Sequence, residues 1–176
     1  PLAANIVMPL VQLDFLNDPN IQARGLAPTP FQRTLNAGTT QFSFIPATRN
    51  AAFQLRAKDT QLTATSYSTD TVSNINVLAN IPLFLLALAP GESYLDGTVT
   101  GKTAAPPSTL IAGDPYTVSV RAVDLYNNRA IDGRQVRLVV NDPYASVPFP
   151  QALALGQTSF ANFLPSAATG NLTVTG

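Results

Sequence analysis

Apolar and polar residues alternate with a period of two along several short stretches of the chain. In the clearest stretch, Tyr116, Val118, Val120 and Ala122 alternate with polar or charged residues. Such a period is typical of a half-buried β-strand, because successive side chains point to opposite faces of a sheet. The same alternation is found at residues 11–15, 42–44, 53–57 and 136–140. These stretches predict strands of antiparallel sheet.

Nothing in the pattern has the 3.6-residue period of a helix, and 15 prolines and 10 glycines interrupt the chain. Short strands joined by Asn, Asp, Gly and Pro turns are typical of an antiparallel β-sandwich. The longest apolar run, residues 81–89, is interrupted by Pro82 and is about half the ~18 residues that a membrane span needs. It therefore predicts a buried strand, and we expect no direct insertion into a membrane.

Several residue types recur in the same order at a nearly constant spacing. Because the spacing changes only by small amounts, the pattern indicates an internal repeat. The recurring pairs are Asp18 and Asp142 (124 residues apart), Phe31 and Phe149, Gly38 and Gly156, Phe42 and Phe160 (each 118 apart), and Pro46 and Pro165, Leu55 and Val174 (each 119 apart).

The repeat predicts two consecutive units, at residues 1–80 and 81–176. We place the junction at residues 80–82, because a proline after a strand end stops pairing and stiffens a linker. The fold prediction is therefore all-β, with two tandem antiparallel immunoglobulin-like β-sandwich units.

The two predicted units are out of step with the repeat. The first has no counterpart of the strands predicted at residues 83–89 and 116–123, and the second has none of the strand predicted at residues 71–78. A sandwich without these strands has unpaired backbone groups at its edge. We expect neighbouring repeats or identical subunits to supply the missing strands.

Composition narrows the possible functions. Charged residues make up 11% of the chain and the net charge is zero, so there is no basic stripe for nucleic acid. The chain contains no Cys and no His, which excludes disulfides and thiolate metal sites and removes the commonest general base. Its one glutamate, Glu92, follows a Pro-Gly pair, and no serine stands three residues before either lysine. We therefore predict that the protein is not an enzyme.

A series of short motifs links these strands and turns. In order, they are residues 88–92 (LAPGE), 101–103 (GKT), 112–118 (AGDPYTV), 122–124 (AVD) with Asn127 and Asn128, 141–143 (NDP) with Pro148, and Leu155-Gly156 with Phe160. The series resembles the bacterial immunoglobulin-like repeats that occur in tandem in very large secreted and cell-surface proteins. It covers the second unit almost fully and the first from about residue 11 to 78.

This resemblance implies a seven-strand type of sandwich, an extracellular location, and structural or adhesive work without a catalytic residue. A building block of a surface fibre, stalk or adhesin is the function that it favours.

Oxygen-bearing side chains gather in the second unit, where they suggest a calcium site, since calcium prefers carboxylate and amide oxygens. The alternative is that these side chains cap turns by accepting hydrogen bonds from backbone N–H groups. The spacing Asp-x-Asp-x-Asp is absent, and no other cofactor is predicted. The candidate calcium ligands are Asp124, Asn127, Asn128, Asp132 and Asp142.

Four tyrosines lie in loop-like contexts: Tyr67, Tyr94, Tyr126 and Tyr144. They are the contact candidates for an alternative function, an extracellular module that binds a glycan or a surface protein. The phenylalanines, by contrast, alternate within predicted strands, which favours a place in the core.

Overall fold

The computed structural model describes residues 9–61, 67–166 and 174–175. This part of the chain consists of antiparallel β-sheets with one short helix, which confirms the prediction of an all-β fold. No helix in these residues is long and apolar enough to cross a membrane. Contacts divide the chain into a first unit, Pro1–Leu78, and a second unit, Ala79–Gly176.

The first unit is built on a four-stranded antiparallel sheet with the strand order β2-β1-β3-β4. In register, Leu13 lies opposite Ala57 and Gln12 opposite Gln32. Its elements are β1 (Leu10–Phe15), α1 (Asn20–Ala23), β2 (Gln32–Thr34), β3 (Asn50–Asp59) and β4 (Asp70–Val77).

The alternation in β1 and β3 separates an apolar face from a charged one. Phe15 and Phe53 pack with Phe44 and with buried Ile21, and the rings of Phe15 and Phe44 are 5.0 Å apart. Between these positions, Asp14 pairs with Arg56 at 2.6 Å and with Lys58 at 3.0 Å. Burial raises the pKa of Asp14, but hydrogen bonds from the two cations outweigh it and hold the pKa below its ordinary value.

The strand predicted at residues 42–44 does not form. Residues 40–44 make no main-chain hydrogen bond with any described residue, although Phe42 and Phe44 are half-buried as the alternation predicts. A strand is defined by its ladder of hydrogen bonds, so a correct side-chain pattern is insufficient where none of the described residues provides a neighbouring strand.

The second unit contains a three-stranded sheet, β10-β6-β5, and two two-stranded pairs, β7-β9 and β8-β11, all antiparallel. The strand predicted at residues 136–140 is interrupted at Arg137 and Leu138, because β7 pairs with β9 whereas β8 pairs with β11. The strands are β5 (Phe84–Leu88), β6 (Tyr116–Val123), β7 (Gln135–Val136), β8 (Val139–Val140), β9 (Gln151–Ala152), β10 (Gln157–Phe163) and β11 (Val174–Thr175).

The core of the second unit lies against one face of β6. Val118, Val120 and Ala122 pack with Phe160 and Phe163 of β10, and the cluster also includes Val136, Leu138 and Leu153. The opposite face of the sheet is polar: the hydroxyls of Ser119 and Ser159 are 3.1 Å apart, and Arg121 donates to Gln157 at 2.6 Å.

Each unit contains a two-residue turn with two left-handed residues. Ala37 and Gly38 have φ values of 50° and 81°, and Leu155 and Gly156 have values of 51° and 78°. In both turns the flanking residues, Asn36 with Thr39 and Ala154 with Gln157, exchange two main-chain hydrogen bonds. This is the geometry of a type I′ hairpin turn, which favours glycine at its second position.

These turns predict unequal effects of one substitution. A Cβ at Gly156 would lie 1.8 Å from the carbonyl oxygen of Ala130, whereas a Cβ at Gly38 has no neighbour within 4 Å. Gly38→Ala should cost about 1 kcal/mol, from the left-handed backbone alone. Gly156→Ala should cost about 1–3 kcal/mol more than Gly38→Ala, because the backbone must also move to relieve the overlap. Urea unfolding of both variants measures the difference, and equal losses would contradict the packing around Gly156.

Candidate functional site

A buried aspartate connects two distant loops in the first unit. The side chain of Asp18 is 1% exposed and accepts hydrogen bonds from Ala47 N–H and Thr48 N–H, both at 2.9 Å. It also accepts from the Thr48 hydroxyl at 2.7 Å and from Asn20 N–H at 3.3 Å. The carboxylate therefore satisfies donors in the segment just before β3 and at the start of α1, which a buried loop requires.

Asp142 makes the corresponding contacts in the second unit. Its side chain is 3% exposed and accepts from Ser166 N–H at 2.7 Å and from Tyr144 N–H at 3.0 Å. Asp18 and Asp142 each stand directly before a proline in the sequence. Each also accepts from the N–H of the residue after a second proline, since Ala47 follows Pro46 and Ser166 follows Pro165.

Asp124 organises the turn after β6. Its carboxylate, 2% exposed, accepts from Tyr126 N–H at 2.8 Å and Asn128 N–H at 2.9 Å. It also accepts from the Asn128 side-chain amide at 3.1 Å and from Asn80 N–H at 3.0 Å. The last bond ties the beginning of the second unit to this turn.

The five candidate calcium ligands fall into separate places. Asp124, Asn127 and Asn128 share one turn, in which Asn127 has a φ of 62° and its side-chain amide donates to the carbonyl of Val99 at 2.9 Å. Asp132 instead pairs with Arg134 at 2.5 Å, and hydrogen bonds from Arg134 lower the pKa of Asp132. Asp142 belongs to the loop after β8.

The described residues hold no group of three or more His, Cys, Asp or Glu side chains that could bind a metal ion. The turn-capping alternative accounts for the hydrogen bonds of Asp124 and Asp142. Calcium binding stays a prediction.

A polar cleft of about 390 Å³ lies between the loop at residues 88–94 and the polar face of β6. Within it, the Arg121 guanidinium stacks 4.7 Å from the ring centre of Tyr94, whose hydroxyl donates to Asn127 O at 2.7 Å. Arg121 and Arg129 both donate to the side-chain oxygen of Gln157, at 2.6 and 2.7 Å. Burial and the charge of Arg129 lower the pKa of Arg121.

One donor in this cleft has no acceptor among the described residues: the Nε–H of Arg121, which is buried. A buried cationic donor without a partner is unusual. The Nε–H of Arg33 in the first unit is buried and likewise has no acceptor among the described residues. Sequence patterns place Arg121 on the polar face of a strand but do not distinguish it from other surface arginines.

The other loop tyrosines differ in exposure. Tyr144 is 82% exposed and Tyr67 is 66% exposed, whereas Tyr126 is half-buried beside the Asp124 turn. Phe149, expected to lie in a core, is instead 89% exposed. Tyr94 is the one of the four that lines the cleft.

Comparison with protein-family models, with curated proteins and with solved structures found no match to this chain.

The Asp124 turn predicts a large loss of stability for Asp124→Ala. The change removes a buried acceptor from the N–H groups of Asn80, Tyr126 and Asn128. Asn128 is buried, whereas Tyr126 is half-buried and Asn80 is exposed. A buried donor without an acceptor costs about 1–3 kcal/mol, so we expect a total of about 2–3 kcal/mol in urea unfolding. Asp114→Ala, at an exposed turn of the same unit, should stay within about 0.5 kcal/mol. Similar losses for the two variants would refute the structural role of Asp124.

Proposed function

We propose that the chain consists of two immunoglobulin-like β-sandwich units of a tandem array, and that it is a structural building block of a bacterial extracellular fibre, stalk or adhesin. The observation that carries the proposal is the pair of buried aspartates. Asp18 and Asp142 stand 124 residues apart, and each accepts a hydrogen bond from the residue after a later proline. Shared hydrogen bonds of this kind support a common architecture more strongly than shared composition does.

Two further features support the relation between the units. The turns at Gly38 and Gly156, 118 residues apart, have nearly the same φ values. The strands before the two turns also pair in a corresponding register: Gln12 lies opposite Gln32, and Val136 lies opposite Gln151. Val136 is 124 residues after Gln12, and Gln151 is 119 residues after Gln32. These offsets match those of the sequence repeat.

A structural role fits the physical character of the units. Lateral hydrogen bonds between strands, together with buried loop carboxylates, oppose extension of the chain. Only 11% of the residues are charged, and the sequence contains no recognisable set of catalytic residues. Both observations favour a mechanical or adhesive function over catalysis. Neighbouring repeats or identical subunits are the partners that we propose.

A spacer that carries tension should unfold cooperatively under force. When the whole chain is pulled from both ends, the second unit should give one abrupt event with a length gain of roughly 300 Å, from about 3.3–3.6 Å per residue. Phe160→Ala removes a fully buried ring at a cost of about 3–5 kcal/mol and should lower the force. Phe149→Ala removes an exposed ring and should leave the force unchanged. Gradual extension without an abrupt event would contradict a role in carrying tension.

The cleft beside Tyr94 favours a second candidate function, an extracellular module that binds a glycan or a surface protein. Its volume of about 390 Å³ suits a small polar ligand, and the cationic side chain of Arg121 lines it. Tyr94 offers an aromatic ring at the same place.

A glycan array tests this second candidate. We expect any bound glycan to lose most of its affinity with Arg121→Gln and to retain it with Tyr144→Ala, whose ring lies on an exposed loop. An unchanged melting temperature would show that Arg121→Gln is still folded. An array without binding, or binding that depends on Tyr144 and not on Arg121, would eliminate the cleft as the site.

A further inference from the structure

The first unit presents, beside its aromatic core, a row of main-chain groups that no described residue pairs. No hydrogen bond among the described residues involves the main chain of residues 40–44. Burial nevertheless alternates as in a strand, with Thr40, Phe42 and Phe44 half-buried and Gln41 and Ser43 exposed. A strand-like segment with two half-buried phenylalanines and with N–H and C=O groups that no described residue pairs is a position where another strand can add.

The second unit contains the same arrangement with the strand present. Residues 157–163 follow the turn at Gly156 as residues 39–45 follow the turn at Gly38. In the second unit these residues form β10, which pairs along β6. Phe160 is fully buried there, whereas Phe42, which lies 118 residues earlier, is only half-buried.

We propose that residues 40–44 are the acceptor edge for an added antiparallel strand of β6 chemistry, with small branched apolar side chains at alternating positions. Such a strand would come from another unit of the same kind. The inference rests on the proposed relation between the two units. It identifies the segment at which units assemble and the kind of strand that this segment accepts. It also explains why a segment with the alternation of a strand lies beside an aromatic core without a ladder.

The ladder of the second unit fixes the expected register. Ala122 N–H donates to Gly156 O, so Ala122 and Gly156 form a hydrogen-bonded pair. In an antiparallel ladder every second residue pair is hydrogen-bonded, so the next such pairs lie two and four residues further along each strand. They include Thr158 with Val120 and Phe160 with Val118. The corresponding residues of the first unit are Thr40 and Phe42. Their N–H groups should therefore face the added strand, whereas that of Gln41 should face away.

Two proline substitutions exploit this difference. Thr40→Pro removes an N–H that should pair with the added strand, and Gln41→Pro removes one that should not. Neither change breaks a hydrogen bond present among the described residues. The probe is a synthetic peptide with the sequence of residues 114–124, which includes β6, titrated into the full chain by isothermal calorimetry.

We expect saturable binding to the unaltered chain, at least about tenfold weaker binding to Thr40→Pro, and nearly unchanged binding to Gln41→Pro. Tenfold corresponds to about 1.4 kcal/mol, close to one lost main-chain hydrogen bond. A peptide with Asp in place of Val118 and Val120 should not bind, because in this register it would bring charge against Phe42 and beside Thr40.

Absence of binding, or equal binding to both proline variants, would overturn the proposal; equal binding would place the peptide elsewhere, for instance at the sheet of the second unit. If the second unit still unfolds abruptly under force in that case, the structural function stands and only the acceptor edge is lost. If the peptide binds as expected but the second unit does not unfold abruptly under force, the acceptor edge stands and the role in carrying tension is lost.

Discussion

Pairing of main-chain hydrogen bonds is the constraint on which both units depend. Thr158 and Phe160 belong to a strand because β6 offers them donors and acceptors at the correct spacing. Thr40 and Phe42 follow a similar turn, have similar side chains, and yet form no ladder among the described residues. The difference lies in the presence of a neighbour, so local sequence determines which residues can form a strand and topology determines whether they do.

Buried carboxylates apply the same constraint to the loops. Loop segments leave N–H groups that no sheet can satisfy, and Asp18, Asp124 and Asp142 each accept several of them while almost fully buried. One charged side chain thereby connects segments that are far apart in the sequence. The oxygen atoms that make an aspartate a calcium ligand are here used for capping, which is why sequence alone left the two roles open.

The parts of the fold that depend on local pattern were predictable. The alternation at residues 116–123 gave β6 with its correct buried face, and the all-β class is confirmed. The break at Arg137 and Leu138 depends on a change of partner from β9 to β11. The missing strand at residues 42–44 depends on a partner strand that the described residues do not supply. The short helix α1 was not predicted, because four residues are too few to show the 3.6-residue period of a helix. Arg121 was missed because no sequence pattern separates an arginine that lines a cleft from other surface arginines.

Amide hydrogen exchange, followed residue by residue in the whole chain without added peptide, tests this dependence on a neighbouring strand most directly. We expect strong protection for Thr158 and Phe160, whose N–H groups face β6, and exchange close to that of an unfolded peptide for Thr40 and Phe42. Comparable protection at the two pairs would contradict it, because it would mean that the edge of the first unit already has a partner strand.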